Sequence, residues 1–170
     1  MNGSIRWTIL ASTRSMAEPG GSRFLVFESA GRRYACSLDA VREIVPFRAA
    51  TRLPGAPVHV VGLINLRGRL LTVVDLAVYL GGPEGGSRKG AGSIVLVGSG
   101  ARVVGVLVDE VRDVRPVADD AVERVTDATI THGAVRALAR LDDGIAVVLD
   151  TDAIVGNVLL ERAGAGENSL

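Results

Sequence analysis

Several features that mark common protein classes are scarce in this chain. Cys36 is the single cysteine in 170 residues, so the sequence holds no disulfide framework, and a reducing cytoplasm is the expected compartment. Aromatic residues make up 4%, and 19 basic residues balance 19 acidic ones. No basic, aromatic-rich stripe for a nucleic acid or an anionic membrane is evident. The uncharged apolar runs also fall short of the roughly 18 residues that a membrane helix needs.

Motifs for catalysis or cofactor binding are missing as well. His59 and His132 lie far apart, with no ligand-type residue at metal-binding spacing around either. The glycine-rich segments lack both the end of a P-loop and a helix-opening dinucleotide fingerprint, and no nucleophile elbow for a small hydrolase occurs. The carboxylates at 108–114 and 119–127 are typical of solvated strand ends. We therefore predict a binding protein with no enzymatic activity, no cofactor and no metal.

Short aliphatic and β-branched runs between turn residues dominate the chain, and this pattern predicts an all-β fold. One hairpin is expected to turn at Arg67-Gly68-Arg69, with Gly68 supplying a positive φ. A later hairpin is predicted by Asp142-Asp143-Gly144. The predicted strands are 23–29, 32–38, 60–66, 70–76, 93–98, 102–111, 134–141 and 145–151.

Helices are expected in few places. Residues 38–45 carry apolar side chains at helical spacing, with Asp39 as the N-cap and Pro46 as the stop. Residues 153–160 predict a closing helix capped by Asp152, and 118–125 predict either a helical turn or an irregular crossing.

Three segments lack a regular period. Residues 1–22 end in a Pro-Gly-Gly-Ser cluster and are predicted to be a disordered tail, with Met16 an alternative start. Residues 81–92 are low in complexity and predict a mobile loop. Residues 161–170 are predicted to be a C-terminal tail. The folded part is thus expected to span 23–160.

Several motifs taken together resemble the CheW family, the adaptors of bacterial chemosensory arrays. The core of the resemblance is Asn-Leu-Arg-Gly at 65–68, with Val-Asp-Leu at 74–76 downstream. Val41-x-Glu43-Ile44 lies upstream, and a Gly-x-Leu-Val-Asp segment follows at 105–109. The match runs in order over residues 23–160, whereas each piece alone would be weak.

The resemblance implies two five-stranded β-barrels, each like an SH3 barrel, packed side by side. It also implies an adaptor that bridges the cytoplasmic tips of chemoreceptors to the regulatory domain of the histidine kinase CheA. Thr72 and Ala77 stand where the family usually has proline and often has arginine. These departures leave open a divergent paralogue in a non-motility pathway. The alternative of another class is a small β-barrel nucleic-acid binder, which the balanced charge disfavours.

The resemblance also implies which residues meet the receptor or the kinase. A hydrophobic groove between the barrels, including Val41, Ile44, Gly62 and Gly105, is expected to take the receptor tip, with the two glycines allowing close approach. The alternative is that both glycines serve folding, since a strand glycine often marks only a bulge. The first barrel is expected to dock on the kinase through aliphatic side chains near its strand ends. The full predicted binding set is Val41, Glu43, Ile44, Gly62, Asn65, Arg67, Gly105 and Asp109.

Arg67 lies between two apolar runs, so its guanidinium needs an anionic partner. Glu43 is the best-placed acid within the signature. We predict a bidentate Arg67–Glu43 pair that ties the hairpin to the preceding helix. The alternative is a solvated arginine in the turn beside an unrelated glutamate.

Overall fold

The computed structural model describes residues 21–83, 91–127 and 130–167, and this part of the chain is mostly β. Helix α1 is Leu76–Tyr79 and helix α2 is Thr151–Glu167. The strands are β1 Gly21–Ser29, β2 Arg32–Ser37, β3 Val41–Pro46, β4 Val60–Leu66, β5 Arg69–Asp75, β6 Ser93–Ser99, β7 Arg102–Val108, β8 Glu110–Ala118, β9 Val122–Arg124, β10 Val135–Leu141 and β11 Gly144–Leu149.

The strands form two sheets, which we call the first and the second lobe. The first lobe has the order β8-β1-β2-β11-β10-β9, and the second has the order β3-β6-β7-β5-β4. One neighbouring pair in each lobe is parallel, β2 with β11 and β5 with β7, and the others are antiparallel. The two-lobed all-β fold is thus confirmed. The first lobe has six strands because the three-residue β9 joins its edge, where five were expected.

The two lobes repeat one pattern, and each takes strands from both halves of the chain. Hairpin β1–β2 closes at Ser29↔Arg32, and β6–β7 closes in the same way at Ser99↔Arg102. Hairpins β10–β11 and β4–β5 match in register too, and both carry a bulge near their starts. Strands β8 and β3 likewise match, each with a bulge in its pairing. The lobes are therefore intertwined copies of one five-strand unit, and their positions can be compared residue by residue.

Apolar side chains form one core between the lobes and one inside each lobe. The core between the lobes takes Leu25 and Phe27 from β1, Val95 and Val97 from β6, and the buried face of α2. Helix α2 supplies Ile154, Val155 and Val158, all fully buried. Both faces of the central strands are therefore buried, which explains their continuous apolar runs.

The interiors of the two lobes are filled by different side chains. The first lobe surrounds Phe24 and Val26 with small residues: Ala35, Ala137, Ala139 and Ala146. The second lobe uses larger aliphatic residues: Val45, Ile64, Leu66, Leu71, Val73, Ile94, Leu96 and Leu107. The space inside such a small lobe is limited, so bulky residues on one strand require small ones opposite.

The predicted helix at 38–45 is wrong. Leu38–Ala40 form a single 3-10 turn, and Val41–Pro46 are strand β3. A bulge between Val41 and Glu43 interrupts the alternation, so Val41 and Ile44 both pack against the core between the lobes while Val45 faces the second-lobe interior. That spacing of three imitates a helix. Asp39 is not the N-cap, because Ser37 holds that position without a side-chain bond.

The closing helix is longer than predicted, and its cap differs. Helix α2 begins at Thr151, and the N–H of Ala153 donates to Asp150 Oδ1 at 3.0 Å, so Asp152 is not the cap. The helix continues to Glu167, so most of the predicted tail at 161–170 is helical. The buried residues Ile154, Val155 and Val158 agree with the predicted apolar face.

Other boundaries differ in informative ways. The predicted strand 102–111 divides at Asp109 into β7 and β8. Most of β8 is exposed, and its valines recur at every third position instead of alternating, so its sequence carries no clear strand signal. At 118–125 a 3-10 turn, Asp119–Ala121, leads into β9, so the helical turn holds only for its first part. Most of the predicted tail at 1–22, and residues 84–90 of the predicted loop, lie outside the described residues.

Candidate protein-interaction site at the second-lobe tip

The β4–β5 hairpin turns through two residues, Arg67 and Gly68, since Leu66 pairs with Arg69. Both turn residues have positive φ, 52° for Arg67 and 81° for Gly68. Two consecutive positive φ values define the tight turn that matches the twist of a hairpin. The expected role of Gly68 is confirmed, whereas the left-handed backbone of Arg67 was not anticipated.

Arg67 binds Glu43 through two hydrogen bonds. Its Nη1 donates to Oε2 at 2.8 Å and its Nη2 donates to Oε1 at 2.6 Å. This bond with Glu43 raises the pKa of the Arg67 guanidinium above its usual value. The predicted bidentate pair is thus confirmed, although Glu43 belongs to strand β3 and not to a helix.

The pair connects the two edges of the second-lobe sheet. Glu43 lies on edge strand β3, whereas Arg67 follows the opposite edge strand, β4. Contact between them means that the sheet curls until its edges meet at this end. The side chain of Arg67 is 61% exposed and that of Glu43 is 30% exposed, so the pair is also presented to solvent.

Further cations and an apolar side chain surround this end, which we call the second-lobe tip. Arg42 Nη2 donates to the carbonyl of Gly100 at 3.3 Å, which places it on the β6–β7 turn. Arg69 and Arg102 are exposed at the starts of β5 and β7. Leu70 is 59% exposed. The tip therefore combines an exposed leucine with several arginines.

The predicted groove residues lie deeper than expected. Val41 is buried in the core between the lobes, and Ile44 is half-buried against that core. A Cβ on Gly105 would come within 2.8 Å of Ile94 Cγ2 and 3.1 Å of Val73 Cγ2. Gly105 thus faces the second-lobe interior, not an open groove, and it provides room for the aliphatic side chains opposite.

Gly62 is needed for a close approach within the same chain. Its φ is +147°, and a Cβ there would lie 2.3 Å from the carbonyl oxygen of Thr51. Thr51 crosses the edge of β4 at this point and exchanges two backbone hydrogen bonds of 2.8 Å with Leu63. The segment that approaches Gly62 is therefore the protein's own backbone.

Asn65 and Asp109 both bind backbone groups of neighbouring turns. The N–H of Gly68 donates to Asn65 Oδ1 at 2.9 Å, beside the Arg67–Glu43 pair. The N–H of Ala30 donates to Asp109 Oδ2 at 2.7 Å, at the junction between β7 and β8. Because β5 and β7 are parallel, Asp109 lies at the opposite end of the second lobe from Arg67. The predicted binding set therefore does not form one patch.

The first lobe has an ionic network at its own tip, which the sequence analysis did not predict. Arg115 Nη1 donates to Asp143 Oδ1 at 2.6 Å, and Arg115 Nε donates to Asp113 at 3.0 Å. Arg33 Nη1 also donates to Asp143, at 2.8 Å. The hydrogen bond from Arg115 is the main reason that the pKa of Asp143 falls to about 2. The sequence signal was a charged turn following a strand, which is common in surface loops.

Beside this network, the first lobe has a cleft of about 420 Å³ and several exposed aliphatic side chains. Strands β2 and β11 pair only at Tyr34 and Ala35, so their ends diverge towards the adjacent turns. Ile145 lines this cleft and is 61% exposed. Val114 and Leu138 on nearby strands are 38% and 37% exposed.

Few groups in the described part of the chain are arranged for chemistry. Burial raises the pKa of the Cys36 thiol to about 12, so this cysteine stays protonated and unreactive. Across residues 21–83, 91–127 and 130–167, no three His, Cys, Asp or Glu side chains cluster to hold a metal ion. No helix in these ranges is long and apolar enough to cross a membrane.

Comparison with known proteins identifies the family. A model described as a CheW-like domain matches residues 23–158. The chemotaxis protein CheW of Rhizobium meliloti is 35% identical over 108 residues, which cover 64% of this chain and 69% of that protein. CheW of Bacillus subtilis is 28% identical over 137 residues, covering 79% and 87%.

A solved structure has the same fold. The scaffolding protein TtCheW from Thermoanaerobacter tengcongensis aligns with a TM-score of 0.69 and 28% identity, over 76% of this chain and 89% of that one. The family consists of non-catalytic scaffold proteins of bacterial chemotaxis. With its two intertwined β lobes and its matched residues 23–158, the chain belongs to the CheW family of chemotaxis coupling proteins.

Proposed function

We propose that this protein couples the cytoplasmic tips of chemoreceptors to the histidine kinase CheA, in a cytoplasmic array at the membrane. The carrying observation is the exposed, bidentate Arg67–Glu43 pair, which joins the two edges of the second-lobe sheet. A change at either residue would alter the shape of the tip without removing any buried side chain. Such a pair can therefore set the shape of a binding surface while the core stays intact.

The second-lobe tip supports an interaction with an acidic, partly apolar surface. From 41 to 83 and from 91 to 108 the chain has six arginines and two carboxylates, and four of the arginines lie at the tip: Arg42, Arg67, Arg69 and Arg102. Leu70 is exposed beside these cations. An exposed aliphatic side chain ringed by arginines resembles the composition of many protein interfaces. We assign the receptor contact to this tip, where the sequence had placed it in the groove.

Charge reversal tests the proposed coupling. Arg67→Glu and Glu43→Arg should each lower receptor-dependent kinase activation at least tenfold in a reconstituted mixture of receptor, adaptor and kinase. The double variant should recover part of the loss, because the pair can form with its charges exchanged. Thermal melting should change little for all three, since exposed ion pairs contribute weakly to folding.

Two further charge reversals serve as controls. Arg48→Glu changes an exposed arginine outside the tip, and Glu123→Arg changes an exposed glutamate on β9. Both should keep near-normal kinase activation. Additive losses in the double variant would show that Arg67 and Glu43 do not act as a pair, and normal activation in both single variants would refute the proposed function.

The first lobe is the proposed docking surface for the kinase. It presents Ile145 near the start of β11, as the family resemblance leads us to expect, and Val114 and Leu138 are exposed in the middle of β8 and β10. A transient association would bury about 1,200 Å² or less. Because this surface and the second-lobe tip belong to different lobes, receptor and kinase should bind one molecule at the same time.

A pull-down with the kinase regulatory domain tests this surface. Ile145→Ser should weaken capture of the kinase fragment and leave capture of the receptor fragment unchanged. Leu160→Ser is the matched control, since Leu160 is 72% exposed on α2 in neither surface. Strict competition between receptor and kinase would contradict the model of two separate docking surfaces.

The same architecture would serve a divergent paralogue in a non-motility pathway. Thr72 is buried and Ala77 is half-buried in α1, so neither departure from the family pattern changes the exposed tip. Replacing the motility adaptor of a chemotactic bacterium with this protein distinguishes the two roles. Restored swarming would support the motility assignment, and kinase coupling without swarming would support the paralogue.

A further inference from the structure

Arg67 has a backbone conformation that its residue type disfavours. A non-glycine residue with positive φ is uncommon, and in this kind of turn asparagine, aspartate or glycine is preferred at the first position. Arg67 nevertheless has φ 52°. Unfavourable backbone geometry that persists in a structure must be held by its surroundings, and it often marks a functional position.

The corresponding hairpin of the first lobe does not repeat this geometry, although Ala30 in the β1–β2 turn also has a positive φ, 49°. The corresponding hairpin of the first lobe, β10–β11, also turns through two residues, because Leu141 pairs with Gly144. Neither Asp142 nor Asp143 has a positive φ, and in that turn Gly144 carries the positive value, 142°. Two hairpins with matched strand registers therefore close differently, and only the second-lobe hairpin places a charged residue in the left-handed region.

Asn65 is the side chain that fixes the second-lobe turn. Its Oδ1 accepts from the N–H of Gly68 across Leu66 and Arg67, so the hydrogen bond encloses the left-handed residue. A side-chain amide in this position substitutes for a backbone acceptor and stabilises a turn. The corresponding residue of the first lobe, Arg140, donates instead to the carbonyl of Asp120 and makes no such bond.

We infer that Asn65 is a positioning residue, which holds Arg67 in its left-handed conformation so that the guanidinium reaches both oxygens of Glu43. This inference rests on the proposed coupling function and assigns Asn65 a role through Arg67, without contact between Asn65 and the receptor or the kinase. The turn thereby orients the Arg67 guanidinium towards Glu43. Its unfavourable backbone is offset by the hydrogen bond of Asn65 and by the two hydrogen bonds of Arg67.

Substitutions that keep or remove the acceptor test the inference. Asn65→Asp keeps an oxygen for the N–H of Gly68, whereas Asn65→Ala removes it. Asn65→Ala should lower receptor-dependent kinase activation by about as much as Arg67→Ala, at least tenfold. Asn65→Asp should retain at least half of the wild-type activation. In the Arg67→Ala background, Asn65→Ala should cause no further loss.

A structural readout separates this inference from the function on which it rests. In ¹⁵N-edited NMR spectra, the Arg67 guanidinium signals should be shifted and protected in the wild type and in Asn65→Asp. In Asn65→Ala they should match those of a solvated arginine. Because this measurement needs no partner, it remains decisive even if Arg67→Ala proves to leave kinase activation intact and so refutes the proposed function.

Three results would overturn the inference. The first is a guanidinium spectrum of Asn65→Ala that equals the wild type. The second is loss of activation in Asn65→Asp while its Arg67 signals remain protected, which would indicate direct contact of Asn65 with a partner. The third is full activation in Asn65→Ala when Arg67→Ala is inactive.

Discussion

The two lobes share one strand pattern, and in each an ion pair joins the hairpin turn to an edge strand. The turn supplies the cation in one lobe and the acid in the other. In the second lobe the hairpin turn supplies the cation, Arg67, and strand β3 supplies the acid, Glu43. In the first lobe the turn supplies the acid, Asp143, and the matching strand β8 supplies the cation, Arg115. The same connection between turn and strand is therefore present in both lobes, with the signs of the two charges exchanged.

The wider charge distribution follows the same division. The second lobe carries an excess of arginine, whereas the first lobe and α2 carry nine arginines against fifteen carboxylates over 21–40, 109–127 and 130–167. The chain as a whole has a formal net charge of zero. A balanced total thus conceals two oppositely charged lobes, so one partner would not bind both lobes equally well.

The largest effect is expected where the second lobe lacks a methyl group that the first lobe has. Gly105 corresponds in register to Ala35, which packs inside the alanine-rich first lobe. Gly105→Asp should lower the free energy of unfolding by at least about 3 kcal/mol, because it buries an unpaired charge among aliphatic side chains. Urea denaturation measures this.

A substitution at the corresponding first-lobe position is the control for that comparison. Ala35→Gly should cost only about 0.5–1 kcal/mol, the usual penalty of a glycine within a strand. If Gly105→Asp instead melted normally and lost receptor binding, the result would support the open groove predicted from the sequence. It would contradict the conclusion that Gly105 faces the interior of the second lobe.

A smaller loss is expected at the bulge that both lobes carry. Gly62 corresponds to Ala137, but only Gly62 faces a crossing backbone segment at Thr51. Gly62→Ala should therefore destabilise the protein by about 2 kcal/mol, because an alanine there is strained and displaces Thr51. Ala137→Gly should cost less than half as much in the same denaturation experiment, and equal costs would contradict the role given to Thr51.

A gain is expected where the second lobe has a polar residue and the first an apolar one. Thr72 corresponds to Val147, and Thr72 Oγ1 is buried without a hydrogen-bond partner among the described residues. Thr72→Val should raise the free energy of unfolding by about 1 kcal/mol, since an unpaired buried hydroxyl is costly. Val147→Thr at the half-buried first-lobe position should lower it. A destabilised Thr72→Val variant would show that the hydroxyl is paired.

The smallest effect concerns the low-pH stability of the Arg115–Asp143 ion pair in the first lobe. The pKa of Asp143 is lowered from 3.8 to about 2, mainly by its hydrogen bond with Arg115. A depressed pKa gives a stabilisation that is complete above the unfolded value and is lost as the pH falls towards the folded value. The difference in melting temperature between wild type and Asp143→Asn should therefore be constant from pH 7 to 5 and decline between about pH 4 and 2. A difference that began to decline near pH 6 would assign the effect to another group.

Local patterns were sufficient for most strands and for the turn at Gly68, and the family signature supplied the ion pair. Aliphatic runs such as 93–98 predicted their strands because chain segments buried on both faces are apolar throughout. Glycine at 68 predicted its turn because the required φ is local. The Arg67–Glu43 pair was predicted because a guanidinium flanked by apolar runs needs an acid, and Glu43 is the best-placed acid of the family signature, which also contains Asp75 and Asp109.

Other features depended on contacts between residues far apart in the chain. Strand β8 is a polar edge, held by its pairing with β1. The segment at 41–45 looked helical because a bulge shifts its alternation, and bulges are set by the partner strand. Gly62 and Gly105 appeared to favour a binding groove, whereas Thr51 and Ile94 from the same chain occupy the space around them.

The sequence by itself determined the all-β class and the tight turn at Gly68, because these follow from local periodicity and local φ; the family resemblance was also needed to select Glu43 as the partner of Arg67. Only the tertiary structure decided that the two halves of the chain exchange strands, and that each tip is tied with opposite polarity. Strand exchange leaves every local pattern unchanged, since either lobe could bury the same apolar face. Which lobe a strand joins depends on how well its side chains pack with all the others inside that lobe. That packing exists only once both lobes are assembled.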